Sequence, residues 1–338
     1  MRRPSSGLTV KGVNYDVGIP WAPGFDSRSV WRPDLVRAEL QLVRDGLRCN
    51  SVLLYGSVLE RFVECGRFAR ELGLQVWLSP RLIDGTQAET LSCFGEAARI
   101  AEQLRSEGTA VTLLLGCELT VFMAGLVPGA GFEDRAKALE QAGAEGFDVR
   151  LGEFLARARS TVRPLFSGPL SYSAGLWETV DWSDFDVVAS NLYRYSGNEA
   201  TYAADVRRLR SSGKPAVVTE VGCATWRGAA SAGPMGHEAI DWSGERPRIS
   251  PGHVRDEQEQ ATYLDQALDV LEAEGAHGAF AFELISPSKP HAAEAEYDLD
   301  LASYALLKVY GPEAERGYAT GHSERKLAFD VVARHWAR

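Results

Sequence analysis

The sequence predicts an α/β fold, a single (β/α)8 barrel, on three observations. Short apolar runs alternate with amphipathic stretches of helical period from Leu8 to about residue 310, the pattern of buried parallel strands and the helices that cross between them. Eight such runs can be counted, and no linker or shift of composition divides the 338 residues into two units. The third observation is Lys214–Thr225 (KPAVVTEVGCAT), where an apolar run ends in Thr219 and Glu220 before the chain turns at Val221-Gly222. A buried strand that delivers a carboxylate at its carboxyl end is what the active face of such a barrel requires. One domain over residues 1–338 is expected, the barrel at roughly 8–310 and C-terminal helices beyond it.

Leu8 to Tyr15 (LTVKGVNY) alternates and forms the first strand, bringing Asn14 and Tyr15 toward a pocket. A Pro/Trp-rich loop follows, and Pro33-Asp34 opens a helix on which Val36, Leu40, Val43 and Leu47 recur at helical spacing. Ser51 to Gly56 is the second strand, ending at Tyr55. A helix between Val58 and Leu72 leads to the third, Leu74 to Arg81, stopped by Pro80. Leu91, Phe94, Ala98, Ala101 and Leu104 stripe the next helix, and the apolar run Ala110 to Gly116 delivers Cys117 and Glu118. A second strand therefore ends in Glu. The excursion Leu119 to Gly146, with its VPGAGF turns, is a candidate lid or wall.

Phe147 to Val162 has helical spacing. Gly168 to Tyr172 and Asp184 to Asn191 supply the fifth and sixth strands, the latter followed by Tyr193. Tyr202 to Ser211 is a helix, and the Glu220 strand is the seventh. Arg227 to Gly252 is Gly-rich and aperiodic, and a loop of that length in a compact domain is usually functional. Asp256 to Gly275 is an amphipathic helix with acids in its first turn, where the dipole favours them. Gly278 to Ile285 is the eighth strand, ending near Glu283. Helical segments are expected over 298–309 and 323–336, with Asp298 and Asp300 capping the first.

Hydrophobic residues at 45% and charged residues at 24% allow a large core and exclude global disorder. A net charge of -10 without a basic run excludes nucleic acid as a partner. Five scattered Cys and six His have neither disulfide nor zinc spacing, so reduced thiols, no metal and no cofactor are expected. The absence of an apolar stretch of about 18 residues argues against membrane insertion. MRRPSSGLTV lacks the apolar core of an export signal, so a soluble cytoplasmic protein is expected.

Glu118 ends the fourth strand and Glu220 the seventh, on opposite sides of a barrel mouth. Two carboxylates facing each other across a substrate suit glycosidic bond cleavage, one protonated to donate to the leaving oxygen and one ionised to attack the anomeric carbon. Their environments must hold the two pKa values apart. The plain alternative is a pair of ion-paired strand ends. Cys117 and Cys223 adjoin these Glu with no His beside them in the sequence, which marks them as structural thiols. Trp21, Trp31 and Trp177 suit the anchoring of loops.

On the fourth-strand Glu and the seventh-strand TEVG, the chain resembles the large clan of (β/α)8, or TIM-barrel, retaining glycoside hydrolases over roughly residues 8–310. The resemblance implies Glu118 as acid/base, Glu220 as nucleophile and Tyr193 as the hydroxyl that orients the nucleophile. Trp226 would be a sugar-stacking platform. The stretches LGCEL, SYSAGLWETVDW, TEVGCATWRGAA, GPMGHEA, VRDEQEQATYL and DLDLASYALLK are similar to uncharacterised actinobacterial barrel proteins labelled "abortive infection protein". The chain departs from the clan at Cys117, where Asn is usual, at Tyr55-Gly56, which lacks a supporting Arg that Arg81 can replace, and at Phe282-Glu283, where an aromatic is usual. Glu283 adds a third carboxylate at the mouth, suited to a cationic group or to raising its neighbours' pKa values. Asn14, Tyr15, Tyr55, Arg81, Tyr172, Asn191, Tyr193, Trp226 and Glu283 are the candidate substrate-binding residues. A glycoside-hydrolase-like enzyme acting on a small sugar or sugar-like molecule is expected. A biosynthetic cyclase or lyase using the same Glu residues, and a non-catalytic ligand-binding barrel in phage defence, are the alternatives.

Overall fold

The computed structural model describes residues 7–22, 24–143 and 145–338. Eight parallel strands close a barrel in sequence order: β1 (Val10–Gly18), β2 (Ser51–Gly56), β3 (Gln75–Pro80), β4 (Val111–Cys117), β5 (Leu170–Ala174), β6 (Val188–Asn191), β7 (Ala216–Val221) and β8 (Gly278–Ala281). The α-helices of eight or more residues are α1 (Pro33–Gln41), α2 (Leu59–Glu71), α3 (Gln87–Ser106), α4 (Phe132–Ala142), α5 (Glu145–Val162), α6 (Tyr202–Leu209), α7 (Glu257–Ala273) and α8 (Leu327–Trp336). The expected (β/α)8 barrel is the fold.

Two apolar layers hold it. Alternate residues of the strands, such as Val13, Val52, Leu113 and Val218, face the helices and meet Leu40, Phe62, Phe94 and Leu264. Residues of the other parity, Val10, Leu53, Trp77, Leu114, Val217 and Phe280, fill the barrel. Gly12 admits the Phe280 ring, since a Cβ there would lie 2.2 Å from it. Local signals start the helices. Pro33 opens α1, Thr86 and Glu89 form a capping box on α3, and the Asp256 side chain accepts from the Glu259 amide at the start of α7.

The β5-to-β6 connection, 175–187, carries no helix; Trp182 and Phe185, 5.6 Å apart, cover the barrel wall there. Two expectations need correction. Residues 298–309 are not helical but form a 3-10 turn, Leu299–Ala302, and a two-residue strand, Leu307–Lys308, paired with Glu324–Arg325. Asp298 and Asp300 accordingly cap no α-helix. Arg255 reaches both, at 2.9 and 2.7 Å, and the buried Lys326 lies 2.8 Å from Asp300. Buried acids gain more from buried cations than from a solvated helix end. The Gly-rich segment after β7 folds into short turns, Ala229–Ala232 and Gly233–Ala239, and a hairpin, Ile240–Asp241 with Arg248–Ile249.

Candidate active site

Irregularities in strand register gather at the carboxyl ends of the strands. Between β6 and β7 one step, Ser190 to Asn191, is matched by two, Val218 to Glu220. A regular strand with Val217 and Thr219 inside would turn Glu220 onto the helices. The extra residue breaks that alternation, so that Thr219 and Glu220 both serve the barrel interior. In β4 three steps, Leu114 to Cys117, match two in β5, which rotates Cys117 inward. Glu118 follows in the left-handed region, φ 45°, a conformation that costs a non-glycine residue about 1–3 kcal/mol.

Glu220, only 6% exposed, uses both carboxylate oxygens. The Arg81 guanidinium donates to one at 2.6 Å and the Tyr193 hydroxyl to the other at 2.8 Å. The Cys117 thiol lies 3.8 Å from the oxygen that Arg81 holds. Arg81 itself stacks over the Tyr55 ring, 4.4 Å from its centroid. Charge-assisted bonds of this kind are short and fix the orientation of the carboxylate.

Glu118 has a different environment. The one hydrogen bond to its carboxylate among the described residues comes from the Asn191 amide at 2.9 Å. Asn191 is fixed in that orientation because its carbonyl accepts from Ser173 and Thr219, both at 2.9 Å. Desolvation, then repulsion from Glu220, pushes the Glu118 carboxyl up to about 8. One carboxyl thus carries a proton at neutral pH while a cation and a hydroxyl hold its neighbour, the division of roles that acid/base chemistry needs.

A second group occupies the β1, β2 and β8 side. The Tyr55 hydroxyl donates to Glu283, which is 4% exposed and which burial pushes up to about 7. Asp16, buried beside Arg28 and Arg81, accepts from the Gly18 amide at 2.7 Å and is raised by burial. Lys289 is half-buried, makes no side-chain hydrogen bond or ion pair among the described residues, and is pulled down by desolvation. Phe282 stands 5.8 Å from Tyr55 and 5.9 Å from Tyr304, which stands 6.0 Å from Tyr193, so an aromatic wall links the two groups.

Of the residues expected from sequence, Glu118, Glu220, Tyr55, Arg81, Asn191, Tyr193 and Glu283 converge here. Asn14 faces the barrel, fully buried, with both polar atoms of its amide unpartnered. Tyr15 and Tyr172 are corrections. Tyr15 shares the outward parity of Val13 and Val17, and its hydroxyl meets Arg28 and Glu39 in the helix layer. Tyr172, with Leu170 and Ala174, also faces outward; it accepts from the Leu119 amide and donates to Glu178, bracing the backbone after Glu118. Trp226 anchors a loop: its indole donates to the Gly236 carbonyl at 3.0 Å and its ring meets His253 edge-on. Sequence reasoning missed Asp16, Lys289 and Tyr304. Parity with Asn14 marks Asp16, whereas the other two lie in the irregular chain after β8 and carry no periodic signal. Asp269, Glu272 and His335 come close enough for a metal ion, but Arg338 and His335 already pair with these acids, which fastens α8 to α7.

No family model matches the sequence, and no curated protein matches it. Solved structures do share the fold. A structure described as a glycoside hydrolase is 10% identical with a TM-score of 0.57, over 97% of this chain and 99% of its own. Bacteroides uniformis β-glucuronidase 2, covalently bound to cyclophellitol-6-carboxylate aziridine, is 15% identical with a TM-score of 0.54, over 98% of this chain and 35% of its own. Parabacteroides merdae β-glucuronidase is 12% identical with a TM-score of 0.55, over 98% and 39%. The chain therefore spans little more than a third of either glucuronidase chain. At these identities the likeness is one of fold, a (β/α)8 barrel.

Proposed function

We propose that this chain is a retaining glycoside hydrolase that works without a cofactor on a small sugar or sugar-like substrate. Glu118 protonates the leaving oxygen while Glu220 attacks the anomeric carbon and forms a glycosyl ester. Glu118, now a carboxylate, then takes a proton from water, which displaces the sugar from Glu220. Arg81 and Tyr193 hold Glu220 aimed until the attack, and Asn191 orients Glu118. Asn14, Tyr55 and Glu283 offer hydrogen bonds to the sugar's hydroxyls.

The observation that carries this reading is the contrast between the carboxyls, Glu118 pushed up to about 8 and Glu220 held at both oxygens by Arg81 and Tyr193. The fold neighbours agree with it. The test is incubation of the wild type and Glu220→Gln with activated aryl glycosides and fluoro-sugar probes. Aryl alcohol release together with one glycosyl mass on Glu220, absent from the variant, is expected. Neither turnover nor adduct across the panel would overturn the reading.

A further inference from the structure

The mouth is not open all round. After β1 the chain forms a small hairpin in which Pro20 pairs with Asp26 and Ala22 with Phe25. Loops from two other strands grip it. Trp21 meets Phe122 and Phe132 of the β4 excursion edge-on, at 5.9 and 5.8 Å. Phe25 meets Trp242 of the β7 excursion at 5.0 Å. Trp21 also packs down onto the apolar cluster that fills the barrel. The excursions that follow the two Glu-bearing strands are thus joined through the β1 hairpin, and the arc from β7 past β1 to β4 is roofed. The β5-to-β6 connection, 175–187, takes no part in these aromatic contacts and carries no helix.

Burial follows the same asymmetry. Glu220 and Glu283 are 6% and 4% exposed, whereas Glu118, beside β5, is half-buried. A proton donor must touch the leaving oxygen, so the leaving group lies on the Glu118 side and the sugar under attack lies over Glu220. We propose that the mouth is a blind pocket for a single terminal sugar, with the leaving group passing out between the β5 and β6 connections. The enzyme then removes terminal residues and does not cut within chains. This inference rests on the glycosidase reading.

The experiment uses the sugar and linkage that the aryl panel identifies. An oligosaccharide of that linkage, labelled at its reducing end, is digested alongside the same compound with its non-reducing end blocked as a cyclic acetal. The expected result is a ladder shortened one residue at a time from the earliest samples, with the blocked compound cut far more slowly. Trp242→Ala, which loosens the roof away from the carboxylates, should speed cleavage of the blocked compound about tenfold and change aryl glycoside hydrolysis less than about threefold, the scale of one lost aromatic contact. Internal fragments at early times, or blocked and free oligosaccharides cut at equal rates by an enzyme that hydrolyses the aryl glycoside, would overturn the blind pocket and leave the glycosidase reading standing. No turnover and no adduct on any probe would overturn that reading and this inference with it.

Discussion

At Glu118 and Glu220 the same side chain meets two different sets of neighbours. A carboxyl pushed up to about 8 by desolvation and by Glu220 is a competent acid at neutral pH and loses its proton above that value. The kcat/KM of the wild type should therefore fall on the alkaline side with a midpoint near pH 8, read from a pH–rate profile on an aryl glycoside; a rate that stays flat to pH 10 would remove Glu118 from the acid role. Tyr193 donates to Glu220 at 2.8 Å, and a hydrogen bond to a charged group contributes about 1.5–3 kcal/mol. Tyr193→Phe should lower kcat/KM by roughly ten- to a hundred-fold with the melting temperature nearly unchanged, since the ring keeps its packing against Tyr304. Sequence alone pointed to both Glu because each ends an apolar run. It also held the evidence against Tyr15 and Tyr172: Val13 and Val17 share the parity of Tyr15, Leu170 and Ala174 that of Tyr172, and apolar parity faces the helices.

The strands and most helices were legible because burial on both faces of a parallel strand leaves a continuous apolar run, and Gly or Pro marks its ends. The extra residue in β7 was not. AVVTEV looks like any buried strand, and the break in alternation is set by pairing with β6 rather than by residue type. The segment after β8 was misread as helix because its stabilising partners come from remote chain. Arg255 precedes α7 and Lys326 precedes α8, yet both converge on Asp300. Lys326 and Asp300 are almost wholly buried, so removing one partner strands the other. Lys326→Met should cost about 3 kcal/mol, the lower end for a broken buried pair, because Arg255 still reaches Asp300. A denaturation midpoint shifted by less than a third of that amount would mean that the cluster is solvated.

Across the molecule the site's acids tax the fold. Burial pushes Glu283 up to about 7, against about 4.3 in an unfolded chain. Between those values the folded protein binds a proton that the unfolded chain has released, so this residue's contribution to stability falls as pH rises through that window. The melting temperature of Glu283→Gln minus that of the wild type should be level below about pH 4, grow up to about pH 7 and then stay constant. A difference independent of pH would show that Glu283 titrates in the folded protein as it does in the unfolded chain. The ion pair between Arg81 and Glu220 has another consequence at this scale. It joins β3 to β7, strands that stand opposite each other in a ring of eight, and so acts as a tie-rod across the mouth. A closed barrel yields most readily by becoming oval, and a tie across its diameter resists that. The tie holds only while Glu220 is charged. Esterification by a sugar would cancel the charge and slacken the rod, so the covalent stage would be when the rim is freest to widen and let one molecule leave as water enters.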